Sequence, residues 1–116
     1  MSNSDNNELE RTRQALSDLQ GAVERMYGKR APRMLVYGSQ ARQTAHAASD
    51  IDVALIYSQT IKPGVEIQRL SPILAELNLR YQVLVSVLPI RLTDYQKADT
   101  PFINNIQREG IPVGAV

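Results

Sequence analysis

The stretch that decides the fold is LVYGSQARQTAHAASDIDVALIY, residues 35–57, in which two apolar runs enclose a polar segment. The first run ends at Gly38-Ser39, and ten residues later the second begins with Asp50-Ile51-Asp52. Short apolar runs bounded by turn residues predict buried strands, here Met34 to Tyr37 and Asp50 to Tyr57. The segment between them is predicted to begin as a short helix and to continue as a loop.

Upstream of these strands, apolar residues recur at helical spacing between Glu8 and Met26, and Gly28 follows where a C-terminal cap belongs. Residues 1–7 are small and polar, so we expect a disordered tail there. Downstream, the turn signal at residues 62–64 and an apolar stripe as far as Tyr81 predict a second helix. Pro72 predicts either a kink in that helix or a restart with Ser71 as the cap.

The remaining elements complete the fold prediction. Val83 to Ile90 is predicted as a third strand, Thr100-Pro101 opens a helix that Gly110 closes, and Ile111 to Val113 is a candidate edge strand. This order predicts an α/β fold, a mixed β-sheet of about four strands covered by helices. At 116 residues the chain has the size of one domain, which we assign to residues 8–116.

Composition narrows the classes of function. Thirteen Lys and Arg against twelve Asp and Glu give a net charge of +1, so we expect neither direct nucleic-acid binding nor a membrane surface. The absence of cysteine excludes disulfide frameworks and thiolate zinc sites. The first ten residues lack the pattern of a secretory signal, and no apolar run is long enough to span a membrane. We therefore expect a soluble, cytoplasmic protein.

The two aspartates are the candidate metal ligands. Side chains alternate across a strand, so Asp50 and Asp52 are predicted to share one face and Ile51, Val53 and Leu55 to form the core on the other. Neighbouring carboxylates repel each other, and a divalent cation removes that conflict. Magnesium suits such a pair because it takes hard oxygen ligands from carboxylates and substrate phosphates. Asp50 and Asp52 therefore predict a magnesium site.

Gly38, Ser39 and Arg42 are the candidate nucleotide-binding residues. Glycine lets the backbone approach a ligand, the start of a helix attracts phosphate, and arginine supplies a fixed positive charge. Gly38-Ser39 alone is typical of an ordinary turn, and Asp50-Ile51-Asp52 alone is typical of the solvated start of a strand. The two together, ten residues apart, are expected by chance in roughly one chain of this length in a thousand.

The pattern Gly-Ser, ten residues and Asp-x-Asp resembles the signature of DNA polymerase β-type nucleotidyltransferases, particularly the minimal nucleotidyltransferases of prokaryotes. The segments LAELNLRYQVLVSVLPI and TPFINNIQREGI are similar to the second half of those domains. The resemblance implies that Gly38 and Ser39 hold the triphosphate, that Asp50 and Asp52 bind magnesium and are catalytic, and that Arg42 contacts the nucleotide.

The resemblance also implies a function. Minimal members transfer AMP from ATP to a hydroxyl of a HEPN-type toxin and act as its antitoxin. Catalytic members carry a third carboxylate on a neighbouring strand, where this chain has Ser86. A weakened or inactive nucleotide-binding domain that regulates a partner by binding alone therefore stays open, as does homo-oligomerisation.

Three other polar residues are weaker candidates. Glu76 and Asp94 are the acidic residues that could replace the third carboxylate, although both fall on predicted helices, where a solvated face is the ordinary role. His46 lies between the two halves of the motif and could touch a nucleotide, but a surface histidine is more often inert.

Overall fold

The fold is built around a four-stranded sheet with helices on both faces, and the computed structural model describes residues 3–38 and 50–115. In chain order the elements are α1 (Asn3–Tyr27), β1 (Arg33–Tyr37), β2 (Ile51–Tyr57), α2 (Pro63–Tyr81), β3 (Val85–Arg91), α3 (Leu92–Lys97), α4 (Pro101–Glu109) and β4 (Ile111–Pro112). Short 3₁₀ turns follow α1 at Gly28–Arg30 and β4 at Val113–Ala115.

The strands lie in the order β3-β2-β1-β4. The central strand β1 runs antiparallel to β2 and to β4, and β2 runs parallel to β3. The parallel pair needs a crossover, which α2 provides. The predicted mixed sheet is confirmed, and β4 lies at an edge as expected. Pro89 is accommodated because β3 is the opposite edge strand, where a missing backbone donor leaves no partner unpaired.

Both faces of the sheet bury apolar side chains. One face packs against α1 and α2 through the cluster that contains Leu16, Leu19, Val53, Leu55 and Leu70. The other packs against α3 and α4 through Leu35, Ala54, Ile56, Ile90 and Ile106. Complete burial of one such leucine contributes about 1.5–3 kcal/mol. The sequence predicts that one face of β2 is anionic and that the other belongs to the core. Beyond Asp52 this is wrong, because Ala54 and Ile56 lie on the same face as the aspartates and are buried in the second apolar cluster.

The first helix is longer than the sequence predicts. It begins at Asn3, so residues 3–7, which we expected in a disordered tail, are part of α1. Extending a helix that tertiary contacts already hold is far easier than nucleating a new one. At the other end, Gly28 adopts φ +60° directly after the last α-helical residue, as expected for a C-terminal cap.

The second helix passes through Pro72 as one element. The predicted restart is wrong, because the Ser71 hydroxyl does not cap a new helix but donates to the Ile67 carbonyl at 2.8 Å. Proline removes one backbone hydrogen bond and crowds the preceding turn. Buried Leu70 and Leu77 on either side of it hold the two halves of α2 against the sheet. Side-chain packing therefore outweighs the local preference.

The start of α4 agrees with the sequence. Thr100 precedes the helix, its hydroxyl accepts from the Ile103 amide at 3.2 Å, and Pro101 occupies the first turn. Gly110 follows the last helical residue. None of the helices described over 3–38 and 50–115 combines the length and the apolar character needed to cross a bilayer.

A buried polar cluster ties the beginning of α2 to α1. Glu66 is only 6% exposed and accepts a hydrogen bond from the Tyr27 hydroxyl, which also lies 3.2 Å from the Tyr57 hydroxyl. Arg69 lies 3.6 Å from the same carboxylate. Burial, with the carboxylate of Glu66 nearby, raises the pKa of both tyrosine hydroxyls, and the charge of Arg69 opposes the rise. The cluster lies at the C-terminal end of β2, away from Asp52.

Candidate active site

Asp52 occupies the centre of the candidate site because of the strand order. Its register partner in β1 is Tyr37, and its partner in β3 is Ser86. Asp50 precedes β2 and is exposed, and the intervening Ile51 is held by its amide, which donates to the Leu84 carbonyl at 2.8 Å. The two carboxylates therefore lie at the N-terminal end of β2, between the ends of two neighbouring strands.

Gly38 closes this site on the β1 side. It follows the last residue of β1 with φ +76°, a left-handed conformation that non-glycine residues rarely adopt. A Cβ atom added to Gly38 would lie 3.3 Å from Asp52 Oδ2, a tight contact. The predicted close approach at Gly38 is present, and it brings the turn against the Asp52 carboxylate.

The charges of the two aspartates conflict. Burial raises the pKa of the Asp52 carboxyl above its ordinary value, and the negative charge of Asp50 adds to the rise. Burial and the charge of Asp52 likewise raise the pKa of the Tyr37 hydroxyl. A raised carboxyl pKa means that the ionised form is disfavoured in the folded chain. A hard divalent cation relieves this cost, so the donor chemistry of the pair fits magnesium.

Ser86 lies at its predicted position, beside Asp52 on the neighbouring strand. Its side chain is exposed, and its register partner is Asp52 itself. Among the residues that the structure describes, no three histidine, aspartate or glutamate side chains come together as a metal-binding group. Within that part of the chain the site thus offers two carboxylates and the Ser86 hydroxyl, with the Tyr37 hydroxyl also near Asp52.

The two acidic residues considered as replacements for a third carboxylate lie elsewhere. Glu76 is bound to Arg80 in a groove between α1 and α2. Asp94 accepts from Arg91 Nε at 3.0 Å, at the far end of β3. Arg91 pairs with Tyr57, five residues along β2 from Asp52, which is about 16 Å at 3.3 Å per residue. The suggestion that Glu76 or Asp94 completes the site is therefore wrong. Glu76 lies on α2, which covers the sheet face opposite to Asp52, and Asp94 lies at the far end of β3.

An aromatic pair beside Asp52 was not predicted from the sequence. The rings of Tyr37 and Phe102 meet edge to face with centroids 5.7 Å apart, and Phe102 remains 48% exposed. Phe102 stands in the first turn of α4, and nothing in the local pattern places that turn over β1. The capping signal at Thr100-Pro101 locates the start of the helix in the sequence. The position of that start over β1 depends on a tertiary contact, which the sequence does not show.

Three predicted residues fall outside the described part of the chain. Ser39, Arg42 and His46 all lie in residues 39–49, together with the short helix and loop expected there. Their assignments stay predictions from the sequence.

Comparison with protein families agrees with this geometry. The family model "Polymerase beta, Nucleotidyltransferase" matches residues 29–114, which include β1, β2, β3 and the candidate site. Among curated proteins, no sequence matches this chain significantly.

Solved structures of similar fold include two toxin–antitoxin proteins. One is a toxin–antitoxin with AMP-PNP, at 18% identity and a TM-score of 0.55, with 79% of this chain and 67% of that chain covered. The other is a mutant of the toxin–antitoxin MntA-HpeT, at 16% identity and a TM-score of 0.53, with 79% of this chain and 66% of that chain covered. At these identities the likeness is one of fold.

Proposed function

Because this chain belongs to the polymerase beta nucleotidyltransferase family, we propose that it is a magnesium-dependent enzyme that transfers AMP from ATP to a hydroxyl group of a protein partner. The partner we propose is a HEPN-type toxin, which the chain would inactivate as its antitoxin. The toxin–antitoxin proteins that share the fold support this class of partner.

The observation that carries the proposal is the position of Asp52. It is flanked by the Gly38 turn on one side and by an exposed hydroxyl on the other, and a second carboxylate lies two residues away. Phosphoryl and nucleotidyl transfer depend mainly on positioning and on charge neutralisation. The arrangement offers a ligand pair for a cation beside a turn whose backbone leaves room for phosphate.

Each residue has a proposed role. Asp50 and Asp52 hold magnesium, which supplies neutralising charge to the triphosphate when bound. Gly38 and Ser39 receive the phosphates at the end of β1, because a glycine turn followed by a helix start presents free amide groups. Arg42, one helical turn later, adds a positive charge for the nucleotide.

A second candidate function is nucleotide binding without turnover, with regulation of the partner by contact alone. Ser86 favours it, because a hydroxyl at this position supplies no negative charge for a second cation. Loss of one ligand weakens a second metal first and leaves nucleotide binding in place. The two functions differ in pyrophosphate release and agree in nucleotide binding.

The test combines binding and turnover. Calorimetric titration of the chain with ATP should give measurable heat with magnesium and little without it, because the two carboxylates repel an unshielded triphosphate. No heat at millimolar ATP in either condition contradicts both candidate functions.

Turnover is measured with ATP labelled at the α-phosphate and a co-purified partner. Label on the partner together with released pyrophosphate supports the transferase. Binding without either product favours the regulatory module. An ATP analogue with a methylene group between the α and β phosphates is the control, since it binds but cannot release pyrophosphate.

A further inference from the structure

Ser86 presents a hydroxyl at the candidate site that has no hydrogen-bond partner among the residues that the structure describes. Its side chain is exposed on edge strand β3, and it forms no side-chain hydrogen bond to any residue within 3–38 and 50–115. Its register partner is Asp52, on a strand about 4.8 Å away. The exposed position does not require serine for packing, and no described residue engages the hydroxyl.

The strand order puts the Ser86 hydroxyl and the turn at Gly38 on opposite sides of Asp52. The order β3-β2-β1 places Ser86 on one side of β2 and Gly38 on the other. Displacement at phosphorus requires the attacking and leaving oxygens to be roughly in line, on opposite sides of the phosphorus atom. A nucleotide whose β and γ phosphates lie at Gly38 would turn its α-phosphorus toward Ser86.

We propose that Ser86 is itself an acceptor, so that the chain adenylylates its own active site. This inference rests on the proposed nucleotidyl transfer and adds a second substrate to it. In the step, Ser86 Oγ forms a bond to the α-phosphorus of ATP, and the bond from that phosphorus to the oxygen bridging to the β-phosphorus breaks. Pyrophosphate leaves, and the hydroxyl proton passes to water at the exposed side chain.

The product would regulate the enzyme. An adenylyl group on Ser86 fills the space beside Asp52 that a second ATP needs, so a modified chain has no room for substrate. Each chain therefore accepts one group. Because the leaving group is pyrophosphate, excess pyrophosphate with magnesium reverses the step and regenerates ATP.

The experiment is intact-mass spectrometry of the full chain after incubation with ATP and magnesium, without a partner. We expect one added adenylyl group, located by peptide mapping to Ser86, and its removal by pyrophosphate. Calorimetry on the modified chain provides a second readout, and we expect at least a tenfold loss of affinity for fresh ATP.

Two serine variants serve as a matched pair. Ser86→Ala should carry no adduct, and Ser86→Thr should retain one because it keeps a hydroxyl. Ser58→Ala is the control, since Ser58 is also exposed but follows the opposite end of β2, about 20 Å from Asp52 at 3.3 Å per residue. Its adduct should equal that of the parent.

The outcomes separate this inference from the proposed function. An adduct that persists in Ser86→Ala or maps to another residue overturns the inference. An unmodified parent chain that labels a partner also overturns the inference, and in that case the proposed function stands. An unmodified parent chain that binds ATP with magnesium but labels no partner overturns the inference and favours nucleotide binding without turnover. A parent chain that neither binds ATP nor carries an adduct overturns both.

Discussion

Gly38 offers the sharpest test of the site, because its replacement by alanine has two separable costs. At φ +76° a side chain meets the left-handed penalty of about 1–2 kcal/mol. Alanine also restricts the unfolded chain, which returns about 0.4–1 kcal/mol. The balance is a loss of about 1 kcal/mol in the free energy of unfolding. Separately, the new Cβ at 3.3 Å from Asp52 Oδ2 must displace that carboxylate by a few tenths of an ångström.

Two other glycines isolate these costs. Gly28 has φ +60° but no atom within 4 Å of an added Cβ, so Gly28→Ala should lose about as much stability without touching the site. Gly64 lies in the first turn of α2 in open space, and no positive φ opposes a side chain there. Gly64→Ala should therefore gain up to about 1 kcal/mol.

Stability is measured by urea unfolding followed by circular dichroism, and function by calorimetric titration with ATP and magnesium. We expect Gly38→Ala to bind about tenfold more weakly than the parent, which corresponds to about 1.4 kcal/mol. Gly28→Ala should bind like the parent despite an equal loss of stability. Equal affinities in Gly38→Ala and Gly28→Ala would refute the argument that the Gly38 turn positions Asp52 for the ligand.

Three further predictions test other parts of the structure. Asp52→Asn should abolish magnesium-dependent ATP binding in calorimetry. It should also raise the melting temperature without magnesium, because it removes the repulsion from Asp50. Asp94→Asn, at the far end of the sheet, should leave ATP binding unchanged. Glu66→Gln should lower the free energy of unfolding by about 1 kcal/mol in urea, because the hydrogen bond from Tyr27 becomes a neutral one and the ion pair with Arg69 is lost. ATP affinity should not change; an altered affinity would mean that the two ends of the sheet are coupled. Ser86→Asp should raise AMP transfer to the partner and increase the melting-temperature gain from magnesium, since it adds a third carboxylate to the two proposed magnesium ligands. Identical melts of this variant with and without magnesium would contradict the placement of Ser86 beside them.

Local sequence patterns were sufficient wherever the determinant is local. The spacing of apolar residues predicts α1, the Thr100 cap predicts the start of α4, and Gly110 predicts its end. The resemblance to nucleotidyltransferases placed Ser86 beside Asp52, and the register confirms that position. In these cases the physical cause lies within a few residues, or the motif is one that occurs in a known fold.

The errors have non-local causes. The continuity of α2 through Pro72 depends on buried Leu70 and Leu77, which pack against the sheet. The separation of Asp94 from Asp52 depends on the parallel register of β2 and β3, and no spacing in the sequence encodes that register. The aromatic contact between Tyr37 and Phe102 joins residues far apart in the chain. Each of these features is decided by tertiary packing.

The exposure of Ser86 bears on why this position lacks a carboxylate. A buried serine could be explained by size, since a larger polar residue would need space and hydrogen-bond partners. Ser86 is exposed on an edge strand, so aspartate would fit there sterically. What aspartate would add is a third negative charge beside Asp50 and Asp52, where the pKa of Asp52 is already raised. The serine therefore limits repulsion among the neighbouring carboxylates, and the choice at this position is one of electrostatics rather than packing.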